Sequence, residues 1–310
     1  MRLKMSKIIV IWDAMIDKYI FWNTDRKNPE SPMPLLNVEN EEIKLWWASN
    51  VAHNLSKLVW YNDLVTLIWK DQEWESFCEL CKNENINVVP LFMDSPTVVK
   101  IRFLDSQYKQ QLLRVDYEKK EKISNDNIQK IKTFLEASNP SFIIISDYNK
   151  WIVTKEMVET VKEYVKKSDA KMLVDAKPVN LDLFYWAFLI KPNFKEFCEM
   201  VWEKWIENSN ENVEKYWLDF VKKYETNLVV TRGWKWSTLI TKDWNVSHIV
   251  SEERKVFDVS WAWDTYIATL TYALSEWYEL SDAVKLANTA SGIVVWKLWT
   301  ACVTKEELWI

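Results

Sequence analysis

Polar and apolar positions follow two different periods along the chain, and these periods alternate. Unbroken apolar runs such as KIIVI (7–11), FIIIS (142–146) and NLVVT (227–231) are typical of strands buried on both faces of a sheet. The segments between such runs carry an apolar residue every three or four positions, which is the period of an amphipathic helix. This alternation predicts an α/β fold with a mostly parallel sheet.

The same pattern gives approximate bounds for the elements. We expect strands at 7–11, 63–68, 87–92, 142–146, 171–175, 187–192 and 227–231, and helices near 46–59 and at 74–84, 124–137, 154–167, 194–205 and 211–224. Residues 14–45 and 92–118 break the rhythm with short alternating patterns, which predict a small antiparallel sheet inserted into the main domain. Such a sheet could act as a lid. Residues 1–310 are therefore expected to form one domain with two lid segments.

Composition and charge argue against several classes of function. The formal charge is −5, which gives no positive footprint for nucleic acid or an anionic membrane. The apolar run at 8–11 meets Asp13 too soon for a signal peptide, and no run approaches the roughly 18 residues of a membrane span. The chain has 4 cysteines, few for a disulfide scaffold. We expect a cytoplasmic protein with neither nucleic acid nor membrane as a partner, and we interpret Cys78 and Cys81 as core-facing thiols rather than a zinc or redox site.

Tryptophan and glycine occur in unusual numbers. The chain has 21 tryptophans and 2 glycines, whereas glycine ordinarily makes up about 7% of residues. Trp244 follows Asp243 between two strand-like runs, where a type I′ hairpin turn requires positive φ. Trp277 and Trp60 each follow a helix-like run, where a left-handed glycine is expected just past the helix end. We therefore predict positive φ at most of these three tryptophans.

A difference in genetic code would explain the exchange. Some bacterial lineages read the codon UGA as glycine, whereas other translation tables read it as tryptophan. We hypothesise that glycine stands at the 21 tryptophan positions in the native protein. The alternative is a genuinely tryptophan-rich, non-catalytic binding protein, whose aromatic side chains should line one face of an element rather than lie at element ends.

Four segments acquire a family pattern when glycine is restored. DVSWAWDT (258–265) becomes DVSGAGDT, and WWASNVAHNLSKLVW (46–60) becomes GGASNVAHNLSKLVG. Between them lie KPNFKEF (191–197), with an NxxE spacing, and TRGWKWS (231–237), with a TRGxxG spacing. Taken in their order along the chain, the four segments resemble the signatures of the ribokinase-like (PfkB) sugar kinases. The resemblance implies a three-layer α/β/α fold and a phosphotransferase that uses ATP and Mg²⁺.

Further segments make the likeness finer. WDAMIDKYIFW (12–22), NPESPMPLLNV (28–38), KIRFLDSQYKQQLLRVDYE (100–118) and SDYNKW (146–151) resemble the kinases that phosphorylate heptose 7-phosphate. This implies transfer to the anomeric hydroxyl of D-glycero-β-D-manno-heptose 7-phosphate, in ADP-heptose biosynthesis for the lipopolysaccharide core. A PfkB kinase for ribose, fructose, fructose 1-phosphate or a nucleoside is the alternative. Lid sheets in this family often pair, so a homodimer through the lid is one outcome, although the sequence does not fix the oligomeric state.

The resemblance assigns catalysis to the DVSWAWDT segment. Phosphoryl transfer requires a base for the acceptor hydroxyl and donors for the developing negative charge. Asp264 is the candidate base, just before a helix expected to start at Thr265, although in isolation it could equally be an ordinary N-cap. Backbone N–H groups of Trp261, Ala262 and Trp263 would form the anion hole at the positive helix end. Indoles at 261 and 263 would block the phosphate, so we expect the chain with tryptophan to be inactive.

The remaining candidates follow from the other motifs. Those for nucleotide binding are Asn193, Glu196, Thr231, Arg232, Gly233 and Asn288. By resemblance Asn193 and Glu196 organise Mg²⁺, with Glu196 acting through water, and the alternative is a helix cap beside a surface carboxylate. Carboxylates and amides suit sugar hydroxyls, whereas cations suit a phosphate. The substrate-binding candidates are Asp13, Asp17, Trp46, Trp47, Asn50, Arg102, Arg114, Lys150 and Lys177, with Lys100 as a further cation.

Overall fold

The computed structural model describes most of the chain. The described residues are 6–24, 29–30, 35–94, 96–108, 110–119, 121–150, 152–203, 206–233, 237–250, 262–297 and 302–310, with the side chains at 14 and 44–49 outside the description. Among these residues, no helix combines the length and apolar character needed to cross a membrane.

A large, mostly parallel sheet forms the middle of the molecule. Its strands run in the order β12-β11-β10-β9-β8-β7-β1-β3-β4, and only the pairs β10–β11 and β11–β12 are antiparallel. The strands are β1 (Ile8–Asn23), β3 (Asn62–Ile68), β4 (Ile86–Phe92), β7 (Phe142–Ser146), β8 (Lys171–Asp175), β9 (Leu189–Ile190), β10 (Asn227–Thr231), β11 (Ser237–Ile240) and β12 (Val246–Ile249). Every strand predicted from an apolar run is present, which confirms the α/β fold.

Helices cover both faces of this sheet. Ile8 and Val10 pack into one apolar cluster, and Ile9 and Ile11 into the other, because successive side chains of a strand point to opposite faces. The first cluster includes α1 (Ala48–Leu58), α2 (Gln72–Asn83), α7 (Ala262–Ser275) and α8 (Leu280–Val294). The second includes α3 (Asn125–Ser138), α4 (Lys155–Lys167), α5 (Phe194–Met200) and α6 (Asn210–Tyr224). The three-layer α/β/α arrangement is therefore confirmed, although α5 ends before residue 205.

A small second sheet is built on the outer half of β1. Residues beyond Asp13 pair antiparallel with β2 (Asn37–Trp47) and parallel with β5 (Val99–Asp105), and β5 pairs antiparallel with β6 (Gln111–Tyr117). The two segments that broke the sequence rhythm supply these strands. Two details of the prediction were wrong, because the sheet is mixed rather than antiparallel and β1 is one continuous strand shared by both sheets.

Tryptophans occupy backbone conformations that favour glycine. Nine described residues other than glycine have positive φ, and five of them are tryptophan. The prediction of positive φ at most of the three tryptophans is confirmed, because Trp244 (φ 70°) and Trp277 (φ 66°) have positive φ while Trp60 does not. The other three are Trp186, Trp202 and Trp309. A Cβ atom is strained in this region, so the backbone itself supports glycine at these positions.

Three of the five lie in the same motif. Trp202 N–H donates to Glu199 and Glu203 N–H to Cys198, which is the double hydrogen bond of a Schellman C-terminus. Trp277 occupies the equivalent place after α7, and Trp309 ends the 305–309 turn with the same pair of bonds. Glycine is the usual residue there.

The turn at Trp244 differs from the prediction. Trp244 N–H donates to the Thr241 carbonyl and Thr241 N–H to the Asn245 carbonyl, while Asp243 does not have positive φ. A type I′ turn needs positive φ at both central residues, so this hairpin is instead a type I turn followed by a left-handed bulge residue. Glycine is still the favoured residue at 244.

Candidate active site

Asp264 lies in the first turn of α7 and is almost fully buried, with 2% of its surface exposed. The helix begins at Ala262 rather than Thr265, so Asp264 is inside the helix and not its N-cap. Burial is the main cause that raises the pKa of Asp264 to about 7; a hydrogen bond from Asn50 opposes the rise and Asp175 adds to it. A carboxylate with this pKa can take up a proton near neutral pH. Trp261 lies outside the described residues.

Side chains of α1 hold Asp264 in place. Asn50 Nδ2 donates to Asp264 Oδ2 at 2.9 Å, and Asn54 Nδ2 donates to the carbonyl of Asn50 at 2.8 Å. Thr265 Oγ1 donates to Asn54 Oδ1 at 2.8 Å, which closes the network between α1 and α7. Within the described part of the chain, the buried Oδ1 of Asp264 has no hydrogen-bond partner. One carboxylate oxygen is therefore fixed, and the other can accept a bond from a bound hydroxyl.

Two ion pairs stand near Asp264 at the carboxyl edge of the large sheet. Lys191 Nζ lies 2.9 Å from Asp175 Oδ2, and Lys177 Nζ contacts Glu196 Oε1. Asp175 raises the pKa of Asp264, and Lys191 and Lys177 lower it, so their charges act at the same place. Sequence reasoning missed Asp175 and Lys191. Their position directly after two apolar strand runs was the signal that could have identified them.

Asn193 and Glu196 form a capping box at the start of α5. Asn193 Oδ1 accepts from the N–H of Glu196 at 2.9 Å, and Glu196 Oε2 accepts from the N–H of Asn193 at 3.0 Å. Asn193 is therefore a helix cap, but Glu196 is buried rather than a surface carboxylate. The described residues contain no cluster of three His, Cys, Asp or Glu side chains that could hold a metal. A Mg²⁺ ion bound mainly by phosphates and water, with one carboxylate nearby, fits this arrangement.

Among the nucleotide candidates, the side chains of Thr231 and Arg232 are bonded within the fold, whereas Asn288 keeps an unbonded donor in the described structure. Thr231 is tied to Pro192 by backbone and side-chain bonds, and Arg232 binds the side chains of Asn208, Asn210 and Thr238. Gly233 has a φ of 63°. Asn288 Oδ1 accepts from Ser237 at 3.1 Å, while its buried Nδ2 lacks a partner in the described structure. That amide is oriented by the fold and still has a donor available.

Two sugar candidates, Asp13 and Asp17, lie within β1, and Trp46 and Trp47 pair with that strand. Asp13 Oδ1 accepts from the N–H of Ile152 at 2.8 Å. Arg102 Nε donates to both oxygens of Asp17, at 3.2 and 3.1 Å. Burial raises the pKa of Asp17 to about 6, while Arg102 opposes the rise. Trp46 and Trp47 pair through their backbones with Met15 and Ala14 at the end of β2, and their side chains lie outside the description.

The remaining cations are paired with carboxylates. Arg114 lies 2.8 Å from Asp116 and Lys150 lies 2.6 Å from Glu118. Lys100 is buried, and burial lowers its pKa, with Arg114 and Lys150 acting in the same direction and Asp116 and Glu118 against it. These five side chains form one charged cluster where the small sheet meets the loop after β7. Arg102 and Lys177 belong to other pairs.

Tyr148 is a third site residue that sequence reasoning missed. Lys177 Nζ lies 5.1 Å from the centroid of its ring. Burial raises the pKa of Tyr148 well above the ordinary value, and Asp264, Asp175 and Glu196 raise the pKa further. The fully buried ring of Trp12 stacks on Tyr148 with 4.7 Å between ring centroids. The segment SDYNKW was noted only for its resemblance.

Comparison with known proteins agrees with this geometry. Residues 47–303 match the pfkB family carbohydrate kinases. The chain is 33% identical over 309 residues to bifunctional protein HldE of Haemophilus influenzae strain PittEE, covering 98% of this chain, and 34% identical over 306 residues to the same-named protein of Actinobacillus pleuropneumoniae serotype 5b. It spans 63% of the length of these relatives.

Solved structures share the fold at low sequence identity. Phosphofructokinase-2 from Escherichia coli, in complex with potassium, superposes with a TM-score of 0.79 at 16% identity, covering 98% of this chain and 97% of that one. Ribokinase from Thermotoga maritima gives a TM-score of 0.73 at 19% identity, covering 98% of both chains. These matches confirm the ribokinase-like fold. The chain belongs to the pfkB family of carbohydrate kinases and is a phosphotransferase that acts on a sugar hydroxyl.

Proposed function

We propose that the protein phosphorylates the anomeric hydroxyl of D-glycero-β-D-manno-heptose 7-phosphate with ATP, giving the 1,7-bisphosphate. The observation that carries the reaction is the carboxylate of Asp264, buried, held through Oδ2 by Asn50 and open at Oδ1. The choice of sugar is supported by the four heptose-kinase-like segments and by the identity of about a third to the HldE proteins.

In the proposed reaction Asp264 is the general base. Its carboxylate accepts the proton of the anomeric hydroxyl while that oxygen forms a bond to the γ-phosphorus of ATP, and the bond from phosphorus to the β-γ bridging oxygen breaks to release ADP. The backbone at the start of α7 faces the developing negative charge. Glu196 would hold Mg²⁺ through water, and the ion would supply positive charge to neutralise the phosphates. Asn288 is oriented to donate to the nucleotide.

The three cations of the charged cluster, Lys100, Arg114 and Lys150, suit the 7-phosphate. Lys100 is desolvated, and a partly dehydrated ammonium beside two further cations attracts a dianion strongly. Asp13 and Asp17 supply acceptors for sugar hydroxyls. The small sheet then acts as a lid that excludes water from the transfer.

The lid also offers a surface for a second copy. Its strand β6 is exposed along almost its whole length, including Leu112, Leu113 and Tyr117. Exposed apolar residues on a sheet favour pairing with another sheet. A homodimer through the lid is therefore part of the proposal, and light scattering of the purified protein measures it.

The test uses a protein with glycine at all 21 tryptophan positions. ADP formation is measured with Mg-ATP and heptose 7-phosphate, ribose, fructose, fructose 1-phosphate and a nucleoside. We expect the highest kcat/KM with heptose 7-phosphate, and a higher value for another sugar would refute the assignment. The non-catalytic binding protein has no support, because the family is a kinase family.

A further inference from the structure

The ion pair of Asp175, which is partly buried, and Lys191, which is fully buried, has no role in the reaction described above. Lys191 is 1% exposed, and its Nζ lies 2.9 Å from Asp175 Oδ2. Asp175 is the last residue of β8, and Lys191 directly follows β9. Both therefore stand at the carboxyl edge of a parallel sheet, where α/β proteins bind their ligands.

The pair lies against the turn that opens α7. Lys191 Nζ is 5.7 Å from the centroid of the Trp263 ring. With glycine at 263, the volume of that indole becomes open space between Lys191 and the backbone N–H groups at the start of α7. That space is where the anion hole must receive a phosphoryl group. The charges of the pair also affect the proposed base, because Asp175 raises the pKa of Asp264 and Lys191 lowers it.

Stability does not explain why these charges are buried. A buried ion pair loses its hydration, and well-packed apolar residues of similar volume are often as stabilising or more so. A lysine held in a dry site next to an anion hole has, in contrast, a direct electrostatic use, since its charge is strong in a low dielectric and needs little reorganisation.

We propose that Lys191 is a further catalytic residue, whose ammonium contacts the phosphoryl group in transfer, and that Asp175 is the positioning residue that aims it. The proposal rests on phosphoryl transfer at Asp264 and not on the identity of the sugar. No bond to Lys191 forms or breaks, because it acts as a fixed positive charge and hydrogen-bond donor.

The first experiment measures binding rather than turnover. In the protein with glycine at the 21 positions, calorimetry compares a non-hydrolysable ATP analogue with ADP for the parent and for Lys191→Met. Because Lys191 contacts the group that only the triphosphate carries, we expect the variant to bind the analogue about tenfold more weakly and ADP within about twofold of the parent. Equal losses for both nucleotides would overturn the proposal. This result does not depend on which sugar is the substrate.

The second experiment separates contact from simple charge balance. Lys191→Met leaves Asp175 buried without its partner, whereas the double variant Lys191→Met/Asp175→Asn removes both charges and protects the fold. With the best sugar of the substrate panel, we expect both variants to lose about 100-fold or more in kcat, as when an oxyanion donor is removed. Recovery of the double variant to within about fivefold of the parent would refute the contact, because Lys191 would then only neutralise Asp175.

The pH profile gives a third readout. Since Lys191 lowers the pKa of Asp264 and Asp175 raises it, the acid limb of kcat/KM should move to higher pH in Lys191→Met and return toward the parent in the double variant. The plateau should stay low in both. A plateau that recovers together with the limb would again reduce Lys191 to a structural role.

Discussion

Tryptophan at the end of a helix should weaken the fold by an amount that can be worked out. Trp277 has a φ of 66° and is 83% exposed, so its ring contributes little burial while its Cβ is strained. The left-handed conformation disfavours a residue with a Cβ by roughly 1 to 2 kcal/mol. Glycine recovers that strain but loses about 0.5 to 1 kcal/mol more conformational entropy on folding. The net effect favours glycine by about 0.5 to 1 kcal/mol.

The assay compares three chains. One has glycine at all 21 positions, a second keeps only Trp277, and a third keeps only Trp60. Trp60 is a matched control because it is 80% exposed and follows a helix but does not have positive φ. Urea unfolding should show a lower midpoint with unchanged slope for the chain that keeps Trp277. The chain that keeps Trp60 should be as stable as the all-glycine chain or slightly more stable.

Trp202 and Trp309 extend the comparison. Both are about as exposed as Trp277 and lie in the same hydrogen-bonded motif. Keeping all three tryptophans should destabilise the protein by about 1.5 to 3 kcal/mol, since distant sites are nearly additive. If the chain keeping Trp277 were as stable as the chain keeping Trp60, the argument from backbone strain would fail.

Four further predictions concern the site, each in the protein with glycine at the 21 positions. Asp264→Asn should abolish turnover while ADP still binds in calorimetry, because an amide cannot accept the hydroxyl proton, and activity within about tenfold of the parent would refute the base. Since the pKa of Asp264 is about 7 and the base must be deprotonated, kcat/KM should rise with pH through about 7 and then level off. Asn50→Ala removes a bond that lowers this pKa, so its acid limb should lie at higher pH; an unchanged limb would contradict the assignment. Arg114→Met should raise the KM for heptose 7-phosphate about tenfold or more with a small change for an unphosphorylated sugar, whereas the control Lys18→Met should change neither.

The layers of the fold could be predicted from the sequence because parallel strands buried on both faces appear as unbroken apolar runs. Runs such as FIIIS can be satisfied only inside a sheet covered on both faces, and β7 coincides with that run. The path of β1 could not be predicted in the same way. Asp13 and Asp17 interrupt its apolar pattern, which suggested the end of a strand, but both carboxylates are buried and paired inside a continuous strand. Tertiary hydrogen bonds allow what the local pattern disfavours.

Some residues of the site could likewise be predicted from the sequence, and others could not. Motif spacing located Asp264, Asn50 and Glu196, since these residues belong to short segments that fold as units. The partners of the cations could not be predicted from the sequence, because Arg102 pairs with Asp17 from a strand 85 positions away. Lys191 was not predicted as a site residue for a different reason. A lysine beside a proline at a strand end looks like a surface charge until the fold places Asp175 next to it.

Glycine at the tryptophan positions serves two separate physical requirements in this protein. At 202, 277 and 309 the exposed indoles leave the site untouched and strain only the backbone, so a single tryptophan there is a matter of stability. At 263 the side chain lies in the first turn of α7, with 5.7 Å between its ring centroid and Lys191 Nζ. In the proposed reaction, tryptophan at 263 fills space that the phosphoryl group needs, and improved stability elsewhere cannot compensate. We therefore expect the protein to require glycine at 263 for catalysis even if a chain with tryptophan folds.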